Sequence, residues 1–283
     1  MTAETVDSGA QGSDSFAPRR GWRPDGPLSL GVTGLWLSII VLLPLAAIAA
    51  ASFDDGPSGF WAGITDSAAL QSLGITLVIS LVVAVINVIF GTIIAWVLVR
   101  DDFPGKSVVN AIIDLPFALP TIVASLVLLS LYGPNSPFDI QLVATQPGVI
   151  MALTFVTLPF VVRQVQPVLM ELDTSVEEAA AVLGAGNRVI WAKIVLPALL
   201  PAILSGAGLA FTRAIGEFGS VVLIGGNIPG KTQVASQYIQ QQIEIDEQVN
   251  AAAVSVALLA IAFVVLLILR VIARFQSRRE GDE

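Results

Sequence analysis

Residues 178–197, EAAAVLGAGNRVIWAKIVLP, form a polar, helix-forming stretch between two long apolar runs. The alanines at 179–181 leave a low-profile helix face beside the carboxylate of Glu178. Gly184 suits the left-handed residue that ends a helix. The stretch is therefore predicted to form two short helices that meet at a bend, with a surface that another protein can approach closely.

Polar residues around this stretch indicate where each helix begins. Thr174 and Glu177 fit a Ser/Thr-x-x-Glu capping box, which predicts a helix start at Thr174 with its free amides satisfied. Asn187 is predicted to cap the second helix. The alternative interpretation is a solvated amphipathic loop with no partner.

The composition indicates a membrane protein. The chain has 283 residues, of which 55% are hydrophobic and 13% charged, and its mean hydropathy is +0.82. It contains neither Cys nor His, so catalysis by Ser/His or Cys/His arrangements is excluded. The commonest metal ligands are missing as well, and neither a catalytic residue, a cofactor nor a metal site is expected.

Six apolar runs are each close to the length that crosses a bilayer, about 20 residues. Because backbone polar groups inside a bilayer must bond to one another, these runs are predicted to be helices, and the fold class to be all-α. The polar residues 1–27 are predicted to be a disordered tail, and residues 28–283 to form one transmembrane domain. The six runs are residues 30–52, 73–99, 108–132, 148–162, 201–224 and 249–272.

Basic residues indicate the orientation in the membrane. Of the 14 Lys and Arg, all except Lys231 and Arg213 fall before the first run, at or beyond the end of the last, or in the second and fourth connections. Positive residues concentrate on the cytoplasmic side of membrane proteins. Both termini and residues 178–197 are therefore predicted to be cytoplasmic.

Two local patterns have weaker implications. Residues 225–232, GGNIPGKT, match the phosphate-binding pattern G-x4-G-K-T. That pattern needs a parallel sheet behind it, and no soluble sheet fits between the neighbouring apolar runs, so an NTPase site is rejected. Small residues at 206, 210 and 214, and at 208, 212 and 216, have the spacing that lets membrane helices pack closely, either within the chain or against another subunit.

Arg213 and Glu217 lie four residues apart on one face of the fifth predicted span. Charges at this depth are costly and usually face a protein interior or an aqueous cavity. In one interpretation the two charges neutralise each other and have a purely structural role. In the other, Arg213 lines the route of an anion, and Glu217 weakens the binding of that anion to Arg213. A site on a conduction route must release what it binds.

Several segments carry a resemblance to a known family. Residues 178–197 match the loop pattern E-A-A-x3-G-x9-I-x-L-P of bacterial ABC importer permeases at every specified position. Four further segments resemble the T-type permease subunit of bacterial sulfate/thiosulfate ABC importers. They are residues 114–121 (DLPFALPT), 159–169 (PFVVRQVQPVL), 211–219 (FTRAIGEFG) and 225–229 (GGNIP).

The resemblance implies a type I ABC importer permease fold over residues 28–283, with an ATPase-coupling loop at about 173–197. It also implies four kinds of partner: a second permease subunit of the W type, two copies of a cytoplasmic ATPase, an extracytoplasmic sulfate-binding protein, and sulfate or thiosulfate. Membrane lipid is expected as a further partner. Binding to nucleic acid is not expected. The residues that the resemblance assigns to coupling are Glu178, Ala179, Ala180, Gly184, Ile194, Leu196 and Pro197.

The sequence leaves three alternative functions open. A molybdate/tungstate permease shares the Arg213–Gly219 stretch. A secondary transporter driven by an ion gradient would need no ATPase, and the inverted repeats common in that class are not evident. An intramembrane hydrolase lacks a suitable base or nucleophile pair.

Overall fold

The computed structural model describes residues 27–280, and side chains from 29 to 272. Within that range the backbone is helical or irregular and has no strand, which confirms the all-α class. Of the predicted tail, only Pro27 falls among the described residues. The helices are α1 (Pro27–Leu37), α2 (Leu43–Ala51), α3 (Gly56–Thr65), α4 (Ser67–Arg100), α5 (Lys106–Ala118), α6 (Thr121–Tyr132), α7 (Gln146–Glu171), α8 (Thr174–Val182), α9 (Asn187–Ile190), α10 (Leu196–Ile215), α11 (Ala235–Glu244) and α12 (Gln248–Glu280), with π-helical turns at Ser38–Leu42 and Trp191–Val195.

The chain divides into two compact units, Met1–Ala47 and Ile48–Glu283. In the described part of the first unit, the large apolar side chains of α1 and of the π-helical turn after it are exposed. The helical stretch Ser29–Ala51 is strongly apolar and, at 23 residues, long enough to cross a bilayer. It corresponds to the first predicted span.

The second unit is built around α4, α7 and α10, which approach one another at glycines. A Cβ atom on Gly91 of α4 would meet the Cβ of Val161 in α7 at 2.9 Å, and one on Gly206 of α10 would meet the Cα of Val161 at 2.9 Å. Val161 itself is fully buried. Glycine at both contacts therefore lets the three helices pack almost backbone to backbone.

Four of the small residues predicted to allow close packing are buried in α10, namely Gly206, Gly208, Ala210 and Ala214, whereas Gly216 is exposed beyond its end. A Cβ on Gly208 would meet Leu269 of α12 at 3.1 Å. At Gly206 and Gly208 the small residues therefore serve packing within the chain, which is the first of the two interpretations offered by their spacing.

The third predicted span, residues 108–132, is wrong as a single helix. It is divided into α5 and α6, which are bent by 114° at the break. Leu119 is extended, at φ −83° and ψ 134°, because the ring of Pro120 disfavours a helical residue before it. The described residues therefore contain five helices able to cross a membrane, or six if the bent pair counts as one span.

The fifth predicted span, residues 201–224, is wrong at its end. Helix α10 stops at Ile215, and residues 216–234 are irregular although many of them are buried. Buried backbone of this kind needs partners. The hydroxyl of Ser125 accepts from the N–H groups of Leu223 and Ile224 at 3.1 and 3.3 Å, and the Ile224 carbonyl accepts from the Ala144 N–H at 2.8 Å.

The fourth span is longer than the predicted residues 148–162. Helix α7 covers Gln146–Glu171 and continues through Pro159 and Pro167. The prediction ended where Arg163 and Gln164 interrupt the apolar run. Those polar side chains bond to neighbouring helices instead of ending α7.

Helices α4 and α11 are joined at the start of α4 by Asp66. Its carboxylate accepts from the N–H groups of Ala68 and Ala69 at 2.9 and 3.2 Å, which caps α4. The Tyr238 hydroxyl of α11 donates to the same carboxylate at 3.4 Å. Burial, with Asp66 close by, raises the pKa of Tyr238 to about 12, so the phenol stays a donor at neutral pH.

Candidate functional site

Residues 173–197 begin with a capped helix, although the cap differs from the predicted one. The N-cap of α8 is Asp173, whose carboxylate accepts from the Ser175 N–H at 2.9 Å. This hydrogen bond lowers the pKa of Asp173 below its usual 3.8. The predicted capping box of Thr174 and Glu177 is wrong, because Thr174 is already helical and the Glu177 carboxylate pairs with Arg100.

Gly184 has the left-handed conformation predicted for it, with φ +90°. The Ala185 N–H donates to the Ala180 carbonyl at 3.0 Å, and the Gly184 N–H to Ala181 at 2.9 Å, so the last turn of α8 is closed by the bend. A Cβ atom at Gly184 would meet no neighbour within 4 Å. The constraint at this position therefore comes from the backbone alone.

The second helix starts without the predicted side-chain cap. Gly186 is its N-cap, and Asn187 is already the first helical residue of α9. A π-helical turn then joins α9 to α10, and the Leu196 N–H bonds to the Trp191 carbonyl five residues back. Pro197 has no N–H to continue the ordinary ladder, which accounts for the wider turn.

The predicted coupling residues fall into an exposed group and a packed group. Glu178, Ala179 and Gly184 are exposed. Ala180 is partly buried, and it contacts the same core cluster as Ile194 and Leu196. Pro197 is partly buried at the start of α10. Residues 173–197 thus present an exposed tip on a base that is anchored in the core.

The tip of α8 exposes two large apolar side chains that the sequence analysis did not single out. Val182 and Leu183 are 88% and 89% exposed. No other large hydrophobic side chain described in the structure is as exposed as these two. Their exposure could have been suspected from their position beside the predicted bend.

Arg100, at the end of α4, is a second feature that sequence reasoning missed. Its guanidinium pairs with Glu177 of α8 and lies over the ring of Trp96, with Cζ 5.4 Å from the ring centroid. Beside this pair, a cavity of about 780 Å³ lies between α4 and the α8–α9 bend. Its lining includes Thr92, Ile93, Trp96, Ala181 and Trp191.

Arg213 and Glu217 do form an ion pair. Glu217, however, lies beyond the end of α10, and its side chain is 1% exposed while that of Arg213 is 36% exposed. The Glu217 carboxylate also accepts from the Ser220 N–H at 2.8 Å, and the backbone carbonyl of Glu217 accepts from the Ser236 hydroxyl at 2.7 Å. Glu217 therefore anchors the irregular segment, and only Arg213 reaches open space.

A polar cluster joins α5 to α7 and brings two of the resembling segments together. Arg163 donates from Nε to Asp114 Oδ1 at 2.7 Å and from Nη2 to Oδ2 at 2.6 Å. It also donates to the Asn110 carbonyl at 3.0 Å and to the side chain of Gln166. Among the residues with described side chains, no group of three or more acidic residues is arranged to hold a metal ion.

Comparison with known proteins gives consistent matches over most of the chain. Residues 87–281 match the family model of binding-protein-dependent transport system inner membrane components. The chain is 41% identical over 258 residues to the sulfate transport system permease protein CysT of Synechocystis sp., covering 89% of this chain and 90% of that protein. It is also 41% identical over 262 residues to CysT of Escherichia coli, covering 90% and 94%.

Solved structures agree at the level of the fold. A subunit of a bacterial ABC transporter involved in the import of the acidic polysaccharide alginate superposes with a TM-score of 0.73 at 17% identity, covering 87% of this chain and 94% of that one. A chain of the MetNI methionine ABC transporter, in an inward-facing conformation, superposes with a TM-score of 0.57 at 21% identity, covering 73% and 95%.

Proposed function

The chain belongs to the family of binding-protein-dependent transport system inner membrane components, and on this premise we propose that it is the T-type permease subunit of an importer that moves sulfate or thiosulfate across the cytoplasmic membrane. The two compared CysT proteins carry sulfate transport in their names and match about nine tenths of this chain. That similarity is the observation that carries the choice of substrate.

The energy for transport is proposed to come from ATPase subunits that bind the tip of α8. Two large apolar side chains, Val182 and Leu183, are almost fully exposed at the C-terminal end of α8, the helix that also carries Glu178. Exposed apolar patches bordered by polar residues are typical of sites where another protein binds. The concentration of Lys and Arg on this side supports a cytoplasmic location for the tip and for both termini.

Movement of the tip is proposed to alternate access to the pathway. The base of residues 173–197 is packed into the same core as α4, α7 and α10, so displacement of the bend is expected to tilt these helices. Gly184 keeps the bend in its left-handed conformation. The chain itself is proposed to catalyse no reaction, and the ATPase to hydrolyse ATP.

Arg213 is proposed to contact the anion during transport. Its guanidinium has five N–H donors, and Glu217 occupies only part of them. Because Glu217 is buried and also bonds to Ser220, it stays in place while Arg213 faces open space. An arginine whose charge is partly balanced would bind a dianion weakly enough to release it.

The remaining partners are a second permease subunit of the W type and an extracytoplasmic sulfate-binding protein. The connections on the opposite side from the α8 tip carry one basic residue, Lys231, and several acidic ones. Such a surface does not concentrate a dianion, which supports delivery by a separate protein. These acidic residues include Asp54, Asp55, Asp66, Glu244, Asp246 and Glu247, and Asp139 lies in the connection between α6 and α7.

The decisive experiment changes the α8 tip in the intact complex. Leu183→Glu is expected to abolish both co-purification of the ATPase and uptake of labelled sulfate. Phe138→Glu is the matched control, because Phe138 is also an exposed apolar residue but lies in the connection between α6 and α7. Retention of the ATPase by Leu183→Glu would refute the proposed contact.

Competition by molybdate tests the alternative that the chain is a molybdate/tungstate permease. The test is needed because the stretch from Arg213 to Gly219 is common to sulfate and molybdate/tungstate permeases. Unlabelled sulfate and thiosulfate are expected to suppress uptake of labelled sulfate, and molybdate to leave it unchanged. Uptake that persists without any ATPase would instead favour a secondary transporter.

A further inference from the structure

We infer that the ion pair between Arg100 and Glu177 ties α8 to α4 and makes these two side chains positioning residues for the coupling. The inference rests on the proposed function, because it describes how movement of the α8 tip reaches the membrane-spanning helices. Arg100 is the last residue of α4, and Glu177 lies in the first turn of α8. The pair therefore joins two helix ends that are 77 residues apart in the chain.

Helix α8 has few other attachments to α4. None of its side chains is buried, and its contact with the core is made by partly buried Ala180. Next to the pair, the 780 Å³ cavity separates α8 and α9 from Ile93 and Trp96 of α4. Side chains across a cavity have no partner atoms at contact distance, so displacement of α8 is not transmitted to α4 there by packing.

The environment of the pair favours a firm attachment. The Arg100 and Glu177 side chains are only 18% and 21% exposed, so water and salt screen their attraction less than on an open surface. Trp96 covers one face of the guanidinium, which adds a cation–π attraction. The Arg100 Nε is buried and has no hydrogen-bond partner among the described residues, so loss of Glu177 would leave this charge poorly compensated.

Helix α4 is suited to carry a displacement from this end. It has 34 residues without a proline and spans about 50 Å at the α-helical rise. At Gly91 it is in close contact with α7. A pull on Arg100 is therefore expected to move α4 against α7 as a rigid element, in the manner of a shear motion.

The test uses the complete transporter in proteoliposomes and measures sulfate imported per ATP hydrolysed in the presence of loaded binding protein. Arg100→Ala and Glu177→Gln are each expected to lower this ratio about fivefold or more, the usual size of coupling between sites. The ATPase should co-purify as with the unchanged protein. Exchanging the charges in the double variant Arg100→Glu with Glu177→Arg is expected to recover most of the ratio.

Asp102→Asn is the matched control. Asp102 pairs with Lys106 at 3.3 Å just after α4, but its side chain is fully exposed. An exposed pair contributes little, and this variant should import sulfate at the normal ratio per ATP.

Three results would overturn the inference while leaving the proposed function intact. These are a normal ratio in Glu177→Gln, failure of the exchanged pair to recover the ratio, and loss of ATPase binding in Glu177→Gln. Retention of the ATPase by Leu183→Glu would instead count against the proposed function.

A second measurement covers single variants that fail to fold. Because the chain has no Cys, Arg100→Cys with Glu177→Cys can be joined by a short bifunctional thiol reagent. Joining the two cysteines is expected to raise the amount of sulfate imported per ATP above that of the same protein before treatment. An unchanged value would contradict the inferred connection between α8 and α4.

Discussion

Arg163 donates two parallel hydrogen bonds to Asp114, 2.7 and 2.6 Å long, and these bonds connect the bent pair α5–α6 to the long helix α7. Both residues come from segments that resemble the same family, 49 residues apart. The planar guanidinium matches the carboxylate in a way that a point charge does not. The pair is therefore one of the contacts that join the broken span to α7, together with the edge-to-face contact of Phe117 and Phe160.

Replacement of Arg163 by Lys is expected to loosen this attachment. Lysine keeps the charge but loses the two-pronged bond, and the cost should be about 1–2 kcal/mol of unfolding free energy, as for hydrogen bonds to charged groups that are partly exposed. The thermal midpoint of the detergent-solubilised protein measures the effect. A midpoint equal to that of the unchanged chain would mean that the bent pair is held by its apolar contacts alone.

Replacement of Gly184 by Val is expected to uncouple ATP hydrolysis from uptake. A β-branched residue at φ +90° is strained by at least about 1–2 kcal/mol, so the bend should relax and the α8 tip should shift. Uptake and hydrolysis are measured together. Gly186→Ala is the control, because Gly186 has a negative φ and open space around it. Normal transport by Gly184→Val would show that the bend geometry is not required.

Arg213→Ala and Glu217→Gln are expected to differ. Removal of the arginine should reduce sulfate uptake while the complex still assembles, because Glu217 and its bond to Ser220 remain. Neutralisation of the buried Glu217 should instead reduce assembly or thermal stability, since it weakens the anchor of residues 216–234. Size-exclusion chromatography and uptake assays separate the two effects. Loss of assembly in Arg213→Ala would favour a purely structural pair.

Two glycines of α4 provide a matched test of helix packing. Gly91→Ala places a methyl group 2.9 Å from Val161, and overpacking of this kind costs about 1–3 kcal/mol. Gly74→Ala meets nothing within 4 Å and should stabilise the helix by about 0.5–1 kcal/mol. Thermal unfolding compares the two variants. A destabilised Gly74→Ala would indicate a neighbour at that face, such as a second subunit.

Asp173→Ala is expected to weaken the start of α8, whereas Asp173→Asn, which keeps an acceptor oxygen, should weaken it less. The pKa of Asp173 is lowered by its bond to the Ser175 N–H, so its stabilising contribution is complete above the ordinary value of 3.8 and is lost as the pH falls through the lower folded value. Protection of the α8 amides from hydrogen exchange should therefore be higher in the unchanged protein than in Asp173→Ala, by an amount that is constant from about pH 5 to 8. A difference that fades across this range would contradict the carboxylate cap.

The sequence alone determined the membrane class, most of the spans and the left-handed bend at Gly184. These properties follow from local chemistry: an apolar run of bilayer length must be a helix, and a glycine before a polar helix start suits a turn. The same local logic misplaced the helix caps, because several residues near Thr174 and Asn187 were able to fill them. It also extended the fifth span too far, since hydropathy does not distinguish a helix from buried irregular backbone.

The pairings between distant residues were decided by the tertiary structure. Arg100 with Glu177 and Arg163 with Asp114 are separated by 77 and 49 residues, and no local periodicity indicates which charge meets which. Whether buried backbone after Ile215 is tolerated likewise depends on partners from other helices, such as the Ser125 hydroxyl. Hydrogen bonds and ion pairs are satisfied by proximity in space, and that proximity exists only once α4, α7 and α10 have packed.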